Sequence, residues 1–191
     1  MPVRPSLQPA YDFMVEAHRG QTRRYSGLPY HSHPQRVADL IAGVIAFPSD
    51  TVLIAALLHD TVEDTQVTRE RITEQFGSPV AAIVDLVTHR TSHKLDTVYR
   101  LRAPRDPDLA RSAWTVFLAD KAANATDLFW TAQQADQLAL TPADVQQCRR
   151  QMTWIQQAVS GFPYDAQSEL NALVRLAEYH VDRASNLLRG R

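Results

Sequence analysis

The sequence predicts an all-α fold of about seven helices. Apolar residues recur at helical spacing along almost the whole chain, while alternating strand patterns and hairpin turns are scarce. No internal repeat, low-complexity tract or long linker divides it, and 191 residues suit one domain with its own core. The expectation is a single domain over 1–191, with C-terminal helices from about residue 141.

Ala10, Phe13, Met14 and Ala17 form one stripe of a first helix. Residues 23–33 are polar, contain Gly27 and Pro29, and read as a loop. Pro34 suits the first turn of a helix over 34–47, where its missing N–H costs nothing. Pro48 and Ser49 break that helix and cap the next, 50–64. Thr68 caps a helix over 69–76 that Gly77 closes, and Ser78 and Pro79 start another that runs to about 90. The charged stretch from 90 to about 107, with Pro104 and Pro107, is expected to be a mobile segment with at most a helical turn. A long helix follows over 108–130. Thr141 and Pro142 open the next, Gly161 and Pro163 end it, and 165–188 forms the last.

Twenty Lys and Arg against 21 Asp and Glu leave a net charge of −1, so no global field favours nucleic acid or a membrane surface. A local basic cluster could still hold a small phosphorylated ligand. The lone cysteine, Cys148, cannot form an internal disulfide. The first residues lack a signal-peptide core and no stretch is long enough to span a bilayer, which together give the expectation of a cytoplasmic protein.

The most unusual local feature is LIAALLHDTVEDT, a strongly apolar run that ends abruptly in His59, Asp60, Glu63 and Asp64. Its polar end must face solvent, a partner or a cavity. A histidine beside carboxylates at the mouth of a core suits a divalent cation. On a continuous helix His59 and Asp60 would point about 100° apart, so other elements would have to complete the shell. Two residues could: His33, at the start of the preceding helix, and Asp120, in FLADKAAN. Taken singly, each has a plainer reading. His33 could be a helix-entry residue, Asp120 an ion-pair partner of Lys121, and Glu63 with Asp64 a solvated helix end.

The order His33, His59-Asp60, Asp120 resembles the H…HD…D pattern of HD-domain phosphohydrolases, and hence an HD-domain helical bundle. AHRGQTRRYSGLPYHSHPQRVA, AALLHDTVEDT, FGSPVAAIVDLVT and LADKAAN are similar in order to the hydrolase domain of RelA/SpoT homologues, over roughly residues 10–160. A chain without a synthetase domain is similar to the small alarmone hydrolases. The resemblance implies hydrolysis of ppGpp or pppGpp, with release of the 3′-pyrophosphate. It implies that His33, His59, Asp60 and Asp120 bind one divalent cation, usually Mn²⁺, and that Glu63 and Asp64 are the catalytic acidic pair. Arg24, Lys121 and Asn124 would line the site of the guanosine alarmone nucleotide, with Arg23 a further candidate, and Ser26 and Tyr30 would shape the loop. Homo-oligomerisation is compatible with this pattern but not fixed by it.

The chain departs from the pattern in places. KAANATDL lacks the usual bulky residues and the Arg after the Asn, Phe117 stands where Lys or Arg is common, and Gln151 stands where some relatives carry an aromatic residue. These departures bear on base and sugar recognition. They keep open an HD hydrolase acting on NADPH or a deoxynucleotide, and an inactive nucleotide-binding regulator. Outside the motif, His18, His31, His89, His93 and His180 are expected in flank, surface or loop roles. Trp114, Trp130 and Trp154 are expected to be packing anchors, and Cys148 to be inert.

Overall fold

The computed structural model describes residues 4–90, 95–136, 138, 140–160 and 169–189. His93, Gly161, Pro163 and the start of the expected last helix lie outside them. Among the described residues the regular structure is helical, and a lone bridge between Thr22 and Pro29 is the sole β-type pairing. A 3₁₀ turn, Pro5–Leu7, leads into α1 (Gln8–Ala17). Then follow α2 (Ser32–Val44), α3 (Asp50–Leu58), α4 (Thr61–Asp64), α5 (Arg69–Phe76), α6 (Ser78–Val87), α7 (Leu95–Leu101), α8 (Pro107–Gln133), α9 (Pro142–Ser160) and α10 (Asn171–Leu187).

Two helices make the core. Ser49 caps α3, its side chain accepting from the Val52 amide, and five of the nine residues of α3 are buried: Leu53, Ala55, Ala56, Leu57 and Leu58. A helix apolar on nearly every side must be enclosed, and α3 lies against α1, α2, α6 and α8. Asp106 caps α8 by accepting from the Asp108 and Leu109 amides. Every residue of α8 from Ala113 to Ala123 is buried, because α2, α3, α6, α7, α9 and α10 surround it. The small side chains of Ala119, Ala122, Ala123 and Ala125 let those neighbours approach closely. No helix among the described residues is long and apolar enough to cross a membrane.

The all-α expectation holds, and two helical segments differ from it in detail. The helix expected over 50–64 ends at Leu58 and restarts at Thr61. Side chains cause the break: His59 Nδ1 donates to the Ala56 carbonyl (2.8 Å) and Thr61 Oγ1 to the Leu58 carbonyl (2.7 Å), taking acceptors that a continuing helix would use. The second difference is α7, within the stretch expected to be mobile. Val98 and Leu101 bury into the core. Arg100 donates to the Thr88 carbonyl (2.9 Å) and to that of Asp85, so the guanidinium caps the end of α6.

Candidate metal centre

Four side chains from three places meet where α2, the α3–α4 break and α8 converge. His33 Nε2 lies 3.1 Å from Asp120 Oδ1 and 3.6 Å from Asp60 Oδ2. His59 Nε2 lies 3.1 Å from Asp60 Oδ1 and 3.7 Å from Asp120 Oδ1. The two imidazole rings are 5.3 Å apart, nearly edge to face. Both histidines and Asp120 are buried. The break at 59–60 is what lets adjacent residues share one point, since a regular helix would have splayed them.

The donor set fits a divalent cation. His33, His59 and Asp60 each offer a ligand atom within 4.8 Å of the others, and Asp120 reaches both imidazoles. His59 carries the clearest sign. Its Nδ1 proton is committed to the Ala56 carbonyl, which leaves the Nε2 lone pair facing the carboxylates. That Nε2 is buried and has no hydrogen-bond partner among the described residues. A lone pair held against a carboxylate oxygen in a dry site needs a positive charge between them.

The electrostatics agree. Burial pushes the His33 pKa down. Burial would do the same to His59, but the negative charges of Asp60 and Asp120 override it and hold its pKa well above the usual value, so with no cation a proton takes the place between Nε2 and the carboxylates, and a cation bound there would displace it. Burial would raise Asp60, yet the His59 and His33 charges hold it well below the ordinary carboxylate range. Lys121 and the histidines do the same for Asp120. Both carboxylates are therefore ionised and ready to ligate.

Asp120 uses its other oxygen for Lys121, whose Nζ lies 2.6 Å away. Lys121 is buried, with its ammonium 4.8 Å from the centre of the Phe117 ring and 5.5 Å from that of Trp154. Asn124 Nδ2 donates to Asp120 Oδ1, while its Oδ1 accepts from Arg23 (2.9 Å).

Glu63 and Asp64 stand at the mouth. The His89 amide donates to Glu63 Oε2 (2.8 Å). Partial burial, and then the nearby charges of Asp60 and Asp64, raise the Glu63 pKa. Asp64 Oδ2 lies 2.8 Å from the Tyr30 hydroxyl, which is also 2.8 Å from Asp60 Oδ2. Burial and those two carboxylates raise the phenol far above its ordinary pKa, so it stays protonated.

A cleft of about 680 Å³ opens from this centre between the 22–31 loop, α8 and α9. All nine expected site residues line it. The basic pair splits: Arg23 turns inward to Asn124 and to Asp127 (2.7 Å), whereas Arg24 sits exposed on the rim, 3.5 Å from Asp144. Sequence reasoning passed over Asp127 and Arg36, which pair with each other beside Arg23. It also assigned Trp130 and Trp154 to packing, yet both line the cleft, and Trp130 is half exposed. The sequence signal for Trp154 was its position one helical turn after Gln151, on the same face of α9.

A family model described as an HD domain matches residues 10–117, which include His33, His59 and Asp60 and stop just short of Asp120. The human protein named guanosine-3′,5′-bis(diphosphate) 3′-pyrophosphohydrolase MESH1 is 40% identical over 124 residues, covering 64% of this chain and 69% of that protein. The guanosine-3′,5′-bis(diphosphate) 3′-pyrophosphohydrolase of Aquifex aeolicus is 48% identical over 82 residues, 43% of this chain and 11% of that much longer one. Among solved structures, one described as a metazoan ortholog of SpoT that hydrolyzes ppGpp superposes with a TM-score of 0.73 at 21% identity, over 98% of this chain and 99% of that one. At that identity the superposition speaks for the fold. With the donor set and the family match in agreement, the chain belongs to the HD-domain family, in its RelA/SpoT-homologue hydrolase branch.

Proposed function

We propose that this protein is a Mn²⁺-dependent hydrolase that removes the 3′-pyrophosphate of ppGpp and pppGpp, giving GDP and GTP. The observation that carries the reading is the buried, unpartnered His59 Nε2 facing two ionised carboxylates, with two further acidic groups at the mouth of a nucleotide-sized cleft. The 40% identity to a protein named for this reaction supports the substrate.

His33, His59, Asp60 and Asp120 would hold the cation, which supplies Lewis acidity toward phosphate and water when bound. The chain's own residues do the rest. Water attacks the phosphorus that carries the 3′ oxygen; the new O–P bond forms as the P–O3′ bond breaks, and the sugar oxygen leaves to take up a proton. Glu63 and Asp64 orient that water and accept its proton, and the upward shift of the Glu63 pKa, caused first by burial, makes it a stronger base than a free carboxylate. Lys121 and Arg23 neutralise phosphate charge from the inner wall of the cleft, and Arg24 does so from the rim. A nucleotide substrate supports the reading of a cytoplasmic protein.

The test is a pyrophosphate- and phosphate-release screen with ppGpp, pppGpp, NADPH and deoxynucleotides, each with Mn²⁺, Mg²⁺ and Zn²⁺. Pyrophosphate from ppGpp with Mn²⁺ is the expected result. Turnover of NADPH or a deoxynucleotide in preference to ppGpp would overturn the substrate while keeping the centre. Binding of Mn²⁺ without turnover of any nucleotide would make this a regulator instead.

A further inference from the structure

Asp64 is badly placed for a group that must aim a water. It ends α4, a helix of only four residues, and Thr65 after it is extended. So short a helix has little stability of its own. Its carboxylate is on the exposed side of the mouth, where a free side chain would sample several rotamers.

The connection between α1 and α2 restrains it at two points. The Tyr30 hydroxyl reaches Asp64 Oδ2 (2.8 Å), and Gln21 Nε2 donates to the Asp64 carbonyl (2.9 Å). Both arms are anchored. The Tyr30 ring stacks on buried His18 with centroids 4.6 Å apart, and the Arg23 guanidinium lies 5.5 Å from the ring centre on the way to Asn124 and Asp127. The Tyr30 amide donates to the Gln21 carbonyl (2.9 Å). Gln21 Oε1 pairs with His18 Nδ1 at 2.8 Å, which fixes the face that its amide presents to Asp64.

From this geometry we infer that the α1–α2 connection is a clamp that positions Asp64, with the Tyr30 hydroxyl and the Gln21 amide as its two arms. The inference rests on the catalytic reading of Asp64 given above. The phenol has one proton and two carboxylates within reach, Asp60 and Asp64, so it can satisfy one at a time. A cation held by Asp60 would compensate that carboxylate and leave the proton for Asp64. Loading of the centre and aiming of Asp64 are thereby linked through one hydroxyl, and Tyr30 and Gln21 are positioning residues.

Tyr30→Phe removes the hydroxyl and keeps the stacked ring. With ppGpp and Mn²⁺, kcat is expected to fall about ten- to a hundredfold, with KM within about twofold and Mn²⁺ affinity by calorimetry within about threefold. In an Asp64→Ala background the same change should have no further effect on the residual rate, because the arm then has no side chain to hold. Wild-type kcat in Tyr30→Phe, an equal fall in both backgrounds, or a loss of Mn²⁺ affinity that accounts for the fall would each overturn the clamp. If Tyr30→Phe melts below the assay temperature, Gln21→Ala decides: a kcat lowered threefold or more at unchanged KM supports the clamp, and wild-type turnover overturns it. An inactive wild-type protein in the same assay would sink the proposed function and the clamp together. An active one that is insensitive to both substitutions would sink the clamp alone.

Discussion

The two ends of the cleft are built differently. At the inner end His33, His59 and Asp120 are buried, each imidazole lies within 3.7 Å of both Asp60 and Asp120, and the Ala56 carbonyl orients His59 while Lys121 holds Asp120. At the outer end Arg24 is 62% exposed, its ion pair with Asp144 spans 3.5 Å, and Trp130 is half in solvent. Low dielectric and mutual contact make the inner residues interdependent, whereas water and mobility leave the outer ones nearly independent. Substitutions at the inner end should therefore act all or nothing, and those at the outer end should grade the choice of nucleotide.

The largest expected effect is at the inner end. Asp60→Ala should abolish Mn²⁺ binding by calorimetry and lower turnover by about a thousandfold or more, and Mn²⁺ should then no longer raise the melting temperature as it does for the wild-type protein. Wild-type turnover in that variant would break the comparison outright. Next, Glu63→Gln should cost about a hundredfold or more in kcat while Mn²⁺ affinity stays within a few-fold, which separates proton chemistry from ligation. Trp154→Ala, which uncovers Lys121 and removes an aromatic wall, should raise KM by about tenfold with kcat little changed; a fall in kcat alone would move Trp154 to the inner class. The basic pair sharpens the boundary. Arg23→Ala should raise KM several-fold more than Arg24→Ala, whose effect should stay below about threefold for so exposed a pair. Equal effects would erase the distinction between wall and rim.

The smallest effect lies away from the cleft, at His180 on α10. Burial and then Arg183 lower its pKa, so the folded protein binds this proton less readily than the unfolded chain does. Its stabilising share is complete above the ordinary imidazole pKa and is lost as pH falls from there toward the depressed folded value. His180→Gln should flatten the melting temperature across that window and leave turnover untouched.

The sequence reports these regions unequally. The convergence of His33, His59, Asp60 and Asp120 could be anticipated because their residue types suit one cation and their order along the chain survives any loop geometry. The break between α3 and α4 could not, because the apolar period runs through Leu58 without a Gly or Pro, and what stops the helix is side-chain competition for carbonyls. The same limit hid α7, whose order comes from Arg100 capping a different helix and from Val98 and Leu101 finding the core. Trp154 read as packing because burial and ligand contact ask for the same aromatic residue. Arg23 and Arg24 were indistinguishable as letters, and the bridge between Thr22 and Pro29, with Gly27 at φ 67°, is what turns one inward and the other out.

The bond from His59 to the Ala56 carbonyl has a consequence for how this centre can drift. A metal-binding imidazole is oriented by a carboxylate, a backbone carbonyl or a water, and a carboxylate partner is one that a single point mutation can delete. Here the orienting acceptor belongs to the main chain, and every amino acid carries that oxygen. Genetic change at position 56 can alter the fit of the helix but cannot remove the carbonyl that fixes which ring nitrogen faces Asp60 and Asp120, so the orientation of His59 is insulated from loss by a side-chain substitution there.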